Sequence, residues 1–290
     1  MGNRQALLSF RGLNNYRLIM RAVEMSGLLP KLTYKESLLF LYVVLLHIVL
    51  GVVLWKSDFL EGLSYRLGLG DRPELTGYYY TILNVHDSFV DIVPDGAVIF
   101  IGDSITQRLN VSAVHPLSVN YGIGGDTTIG VLKRLSTYMS VLERSQCIVL
   151  AIGTNDTRYR SVDEAIANYS RILDRLPRDR PVIASAVLPV DDQANPRQLS
   201  EAVGWRMDFN IKLHQLVEQR EWVIFVDHDN YLDTNGDGRL DQQFHNGDGL
   251  HLNAAGNLQW TQSLRRAISN LKPTNQNNTD NSLFIPGETE

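Results

Sequence analysis

Two short stretches carry side chains that could do covalent chemistry together. The run "VIFIGDSITQRLN" (98–110) leads four apolar residues into Gly102, Asp103 and Ser104, and "DGLHLNAAG" (248–256) sets Asp248 and His251 three positions apart. A hydroxyl nucleophile needs a base to take its proton and a third group to orient that base. One short turn can present the Asp248 carboxylate and the His251 imidazole side by side, so Ser104, His251 and Asp248 are the candidate nucleophile, base and orienter. Read alone, Ser104 is better explained as an ordinary N-cap of the helical segment behind it than as a nucleophile. Two further turns, "NYGIGGDTT" (120–128) and "IGTNDT" (152–157), also follow apolar runs. The first is not a dinucleotide fingerprint, because Gly122-x-Gly124 would need its third glycine at Thr127. Nor does Ser104 sit in G-x-S-x-G, the elbow of the α/β-hydrolases.

These turns can share a site only if the chain brings them to one rim. Short apolar, β-rich runs recur at 97–102, 117–122, 147–153, 181–190 and 222–227, separated by segments with apolar residues at three- and four-residue spacing (127–142, 161–176, 197–220 and 253–271). Strands apolar on both faces and alternating with helices predict an α/β fold, a doubly wound and mostly parallel five-stranded sheet covered by helices on both sides. In such a sheet ligands bind outside the carboxyl ends of the strands, where Ser104, the glycine turn and Asn155 all fall.

The balance of 27 Lys+Arg against 32 Asp+Glu gives a net charge of -5 without a basic block, which argues against a nucleic-acid partner. The single cysteine, Cys147, excludes an internal disulfide and a cysteine-rich zinc site. Ser37 to Trp55 runs nineteen residues without Asp, Glu, Lys or Arg, interrupted only by His47; as a helix it would span about 28 Å, close to a bilayer's hydrocarbon thickness. Arg4, Arg11, Arg17, Arg21, Lys31 and Lys35 precede it and fewer basic residues follow. The expectation is therefore a single membrane span with a cytoplasmic N-terminus and an extracytoplasmic catalytic domain. The expected division is a cytoplasmic segment 1–36 with a surface helix around 16–29, a transmembrane helix 37–55, a connector 56–95, a catalytic domain 96–272 and a disordered tail 273–290.

With four blocks in order, "FIGDSIT" (100–106), "NYGIGGDTT" (120–128), "IGTNDT" (152–157) and "DGLHLN" (248–253), the chain resembles the SGNH, or GDSL-type, serine esterases and acylhydrolases. Its second block is similar to that of platelet-activating-factor acetylhydrolase catalytic subunits. The resemblance covers about residues 96 to 272 and implies a flavodoxin-like hydrolase fold with no required cofactor. It implies Ser104 as nucleophile, His251 as base and Asp248 as orienter, with an oxyanion hole from the N–H groups of Ser104 and Gly125 and the side-chain amide of Asn155. Asp103 and Asp156 are expected to hold loops through backbone hydrogen bonds, and Gly124 to serve turn geometry. The implied substrate is an acyl ester of a lipid or an acylated glycan. The acyl group would pass to water, or alternatively to a glycan hydroxyl; a third reading is a non-catalytic binding module on the same fold.

A second motif precedes the histidine block. In "DTNGDGRLDQQF", Asp233, Asn235, Asp237 and Asp241 occupy the first, third, fifth and ninth positions of an EF-hand-like calcium loop, with Phe244 where that loop wants a bidentate glutamate. Calcium bracing the loop ahead of Asp248 and His251 is one expectation; a turn rich in Asp and Asn side-chain caps is the other.

Overall fold

The computed structural model describes residues 33–56 and 74–271. The expected surface helix around 16–29, the first part of the connector and the tail 273–290 lie outside the described residues. The chain divides into two compact units, Met1–Arg72 and Pro73–Glu290.

Helix α1 (Tyr34–Lys56) is the described part of the first unit. Over Tyr34–Trp55 it is long and apolar enough to cross a membrane, the one such helix among the described residues. Its apolar side chains are exposed all round, where a core helix would bury a stripe. His47 satisfies itself inside the helix, Nδ1 lying 2.7 Å from the Val43 carbonyl.

The second unit opens with helix α2 (Gly77–Asp87), capped by Thr76. Although it falls in the segment expected to connect, α2 is stitched to the helical stretch between Gly130 and Tyr138. Tyr79 is buried and its hydroxyl donates to the Gly130 carbonyl at 2.8 Å, while His86 Nδ1 lies 2.9 Å from the Tyr138 hydroxyl.

The unit is built on five strands: β1 (Val98–Gly102), β2 (Ser118–Gly122), β3 (Cys147–Ala151), β4 (Val182–Ser185) and β5 (Val223–Val226). All pairings are parallel and the order is β2-β1-β3-β4-β5, so every strand delivers its carboxyl end to the same edge. This is the doubly wound, flavodoxin-like order, whose switch point lies between β1 and β3. Between the strands run a short helix α3 (Ser104–Gln107), α4 (Thr128–Arg134), α5 (Val162–Leu173) and α6 (Ala202–Glu218), and the sheet is closed by α7 (Ala254–Ser269).

The central strands are apolar throughout because each face meets helices. Ile99, Ile101, Ile148 and Leu150 join a core with Val131, Tyr169 and Phe209; Val98, Phe100, Cys147 and Val149 point into a second core with Trp260 and Leu264. Burial pushes the Cys147 thiol up to about 12, which keeps it an inert core residue. The apolar run 181–190 is strand only over its first half. Beyond Ser185 the neighbouring strand β3 has ended, and Asn210 of α6 substitutes for it: its side-chain amide accepts from Val187 N–H and donates to the Val187 carbonyl, both at 2.9 Å. Buried backbone there is paired by a side chain instead of a strand.

Candidate active site

Strand β1 ends at Gly102 and the chain turns at once into α3, whose N-cap is Asp103: its Oδ1 accepts from Ile105 N–H at 2.9 Å. Ser104 is thus the first residue inside the helix and not its cap. Its hydroxyl points away from the helix and meets His251 Nε2 at 2.9 Å. His251 Nδ1 lies 2.6 Å from Asp248 Oδ2, and Asp248 Oδ1 accepts from the N–H groups of Leu250 (3.0 Å) and His251 (2.8 Å). The ionised carboxylate can only accept, so Nδ1 carries the imidazole proton and Nε2 is left to accept from the serine hydroxyl. Partial burial pulls the Asp248 carboxyl upward. The hydrogen bonds from His251 and Leu250 outweigh that pull and hold it below its ordinary value.

The other two loops arrive beside Ser104. Gly125 has φ +77, a left-handed backbone conformation that side-chain-bearing residues rarely adopt. Neither Ser104 N–H nor Gly125 N–H donates to an acceptor among the described residues. Asn155 Nδ2 donates to the Asp126 carbonyl at 3.0 Å, which anchors its amide across the loop that carries Gly125. Asp156 is fully buried and receives Thr128 N–H (3.0 Å) and Thr128 hydroxyl (2.6 Å), together with Arg160. Two turns that sequence left separate are tied to each other in this way.

Three contributors had no signal in the sequence. Arg134 is fully buried and joins the first and second turns: Nε donates to Asp126 Oδ2 (2.8 Å), Nη1 to the Tyr121 carbonyl (2.8 Å) and Nη2 to the Gly102 carbonyl (3.1 Å). Glu74, ahead of α2, accepts from Thr127 and Arg160. Tyr78 of α2 pairs with Gln107, the Gln107 amide N–H donating to the Tyr78 hydroxyl at 2.9 Å. A Cβ placed on Gly124 would stand 3.0 Å from Gln107 Oε1, 3.2 Å from the Tyr78 ring and 3.9 Å from Ser104 Cβ. Gly124 therefore permits a close approach, and the Tyr78 ring stands at the rim of the serine site.

Burial pushes the Asp103 carboxyl up from 3.8 to about 7, against the lowering by Ile105 N–H. A carboxyl whose pKa is raised by folding holds its proton more tightly in the folded state. The stability it contributes is complete below about pH 4 and is lost as pH rises through about 7. Asp103→Asn keeps an acceptor for Ile105 N–H and cannot ionise. Its melting temperature is expected to fall less than wild type's between pH 4 and pH 8, checked by melting both proteins across that range.

Asp233, Asn235, Asp237 and Asp241 all take hydrogen bonds from within their own turn. Asp233 spends its oxygens on Gly236, Asp237 and Gly238 N–H groups (2.9, 3.0 and 2.8 Å), Asn235 caps Asp237 N–H, Asp237 caps Arg239 N–H, and Asp241 accepts from Thr234. Among the described residues no group of three His, Cys, Asp or Glu side chains is placed to hold a metal ion. Chelation with EDTA is expected to leave both melting temperature and ester turnover unchanged.

The family described as GDSL-like Lipase/Acylhydrolase matches residues 100–258, more than half of the 290-residue chain. Platelet-activating factor acetylhydrolase IB subunit alpha1 of Rattus norvegicus is 30% identical over 138 residues, which cover 42% of this chain and 59% of that protein. Its alpha2 counterpart of Homo sapiens is 30% identical over 135 residues, covering 41% and 57%. The chain thus spans less than two thirds of the length of these curated relatives. Among solved structures, a GDSL-like lipase from Bacteroides thetaiotaomicron VPI-5482 superposes with a TM-score of 0.55 at 20% identity, covering 64% of this chain and 97% of that one. At that identity the likeness speaks for the fold alone.

Proposed function

The chain belongs to the GDSL-like lipase/acylhydrolase family of esterase-type hydrolases, and from that premise we propose that it cleaves a carboxylic ester through an acyl-enzyme on Ser104. The observation that carries the reading is the unbroken path from Ser104 Oγ through both nitrogens of His251 to Asp248. In this reading the serine proton passes to Nε2 as Oγ bonds to the ester carbon, and the carbonyl oxygen becomes an oxyanion. The N–H groups of Ser104 and Gly125, which have no acceptor among the described residues, are with the Asn155 amide the proposed donors to that charge. Such donors favour the transition state because the charge exists only after attack. The imidazolium then protonates the departing alcohol, leaving an acylated Ser104, and water repeats the sequence to release the acid and restore the serine.

The proposed substrate is an acylated lipid or acylated glycan, with Tyr78 and Gln107 forming one wall beside the nucleophile. Helix α1 supports anchoring by one span, and the excess of basic residues ahead of it supports residues 1–36 on the cytoplasmic side with the hydrolase unit outside. The test is a panel of lipid and sugar esters of graded acyl length, run on the full chain in detergent, with a fluorophosphonate probe alongside. Turnover of one class with labelling on Ser104 is expected. A chain that is neither labelled nor active on any ester would sink the proposal.

A further inference from the structure

A second histidine stands directly behind the Asp248–His251 turn. His245 is 2% exposed on its side chain. Its Nδ1 accepts two backbone N–H bonds, from Gly247 at 2.9 Å and Gly249 at 3.2 Å, the residues on either side of Asp248. A ring nitrogen that accepts twice carries no proton, so the proton sits on Nε2. Nε2 lies 3.2 Å from Asp191 Oδ2 and donates to it. Asp191 belongs to the loop after β4, and it grips the same turn a second time, its N–H donating to the Gly249 carbonyl at 2.7 Å. Its other carboxylate oxygen caps Gln193 (3.0 Å) and Ala194 (3.3 Å) within its own loop. Beyond the ring, Asn246 N–H donates to the His251 carbonyl at 3.0 Å.

Both glycines that flank Asp248 are therefore held from behind by His245, and Gly249 by Asp191 as well. The turn's other hydrogen bonds close it on itself, from Leu250 and His251 N–H to Asp248 and from Asn246 to the His251 and Leu252 carbonyls; Asp248 is 42% exposed, and Gly247 and Gly249, with positive φ (90 and 72), carry no side chain to anchor it to a neighbouring loop. We propose that His245 is a positioning residue for the catalytic pair, its imidazole locking the Gly247–Gly249 turn to the Asp191 loop so that Asp248 and His251 stand at reacting distance from Ser104. The proposal rests on Ser104, His251 and Asp248 being the reacting groups. The chemistry predicts an asymmetry: the acceptor nitrogen that holds Gly247 and Gly249 matters more for placement than the donor nitrogen.

Two amide substitutions separate the halves of the ring. Asn places an oxygen where Nδ1 stands and can receive both N–H groups; Gln reaches the position of Nε2 and loses that acceptor. With the full chain, His245→Gln is expected to lower kcat about 100-fold per fluorophosphonate-titrated site, with KM within about twofold. That is the scale of an ångström-sized misplacement of catalytic groups. His245→Asn is expected to recover kcat to within about fivefold of wild type. Amide exchange at Gly247 and Gly249 should accelerate in the Gln variant and stay slow in the Asn variant. If His245→Gln yields no folded protein, Asp191→Ala removes the other end of the lock, the carboxylate that receives Nε2, and should lower kcat about tenfold. Equal kcat per titrated site in wild type, Gln and Asn variants would overturn the positioning role while leaving the Ser104 reading intact. A wild-type chain inert to ester and probe would instead reject that reading.

Discussion

Replacing Ser104 by alanine is expected to lower kcat for ester cleavage by about four to six orders of magnitude, some 5 to 8 kcal/mol of barrier, with the protein still folded. The size follows from the role proposed for the oxygen: without it no acyl-enzyme can form, and what remains is the contribution of the oxyanion donors and binding. The sparing of the fold follows from where the helix is capped. Asp103, not Ser104, receives the free N–H of Ile105, so alanine at 104 leaves α3 closed at its start. The loss is one hydrogen bond to a partly exposed imidazole, worth about 1 kcal/mol or about 2 to 4 °C in melting temperature. Activity on the best ester of the panel, fluorophosphonate labelling and a thermal melt check the three parts together. A variant that melts like wild type and still turns over within a hundredfold of it would assign the chemistry to another group.

The capping outcome shows what the sequence could and could not settle. Asp103 and Ser104 are both good N-caps, and only the backbone angles at the end of β1 decide which one stays outside the helix. The central strands β1, β3 and β4 were readable because they are buried on both faces, so Val98 to Ile101 appear as an uninterrupted apolar run. The Asp248 and His251 pair was readable because its geometry is local, closed within one turn. Contacts between distant segments left no such trace. Arg134 reads as one more basic residue on an amphipathic helix until Gly102 and Asp126 are seen around it. Tyr78 meets Gln107 across 29 positions, and His245 meets Asp191 across 54, without a spacing rule to announce either. At Asp233 to Asp241 one pattern serves two structures. Calcium loops and side-chain-capped turns both want Asp or Asn at alternate positions, and Phe244 in place of the bidentate glutamate is the mark in the sequence that leans toward the turn.

Asp248→Asn is expected to lower kcat about 10,000-fold, about 5 kcal/mol of barrier, while leaving the turn in place. The turn fixes how an amide would lie. Asp248 Oδ1 receives the N–H groups of Leu250 and His251, so the oxygen of asparagine must keep that position; the reverse orientation would set an NH2 against two N–H donors. Its nitrogen then faces His251 Nδ1 and donates to it. A neutral imidazole that accepts at Nδ1 carries its proton at Nε2. Nε2 faces the Ser104 hydroxyl at 2.9 Å, and with a proton there it can donate to the oxygen but cannot take its hydrogen. A single atom exchanged two groups away from the reacting oxygen thus disables the base without moving it. Ester turnover and the rate of fluorophosphonate labelling should fall in parallel, because both need the serine proton removed. A crystal structure of the variant should show the turn unmoved. Turnover within tenfold of wild type would mean that Asp248 does not set the tautomer of His251.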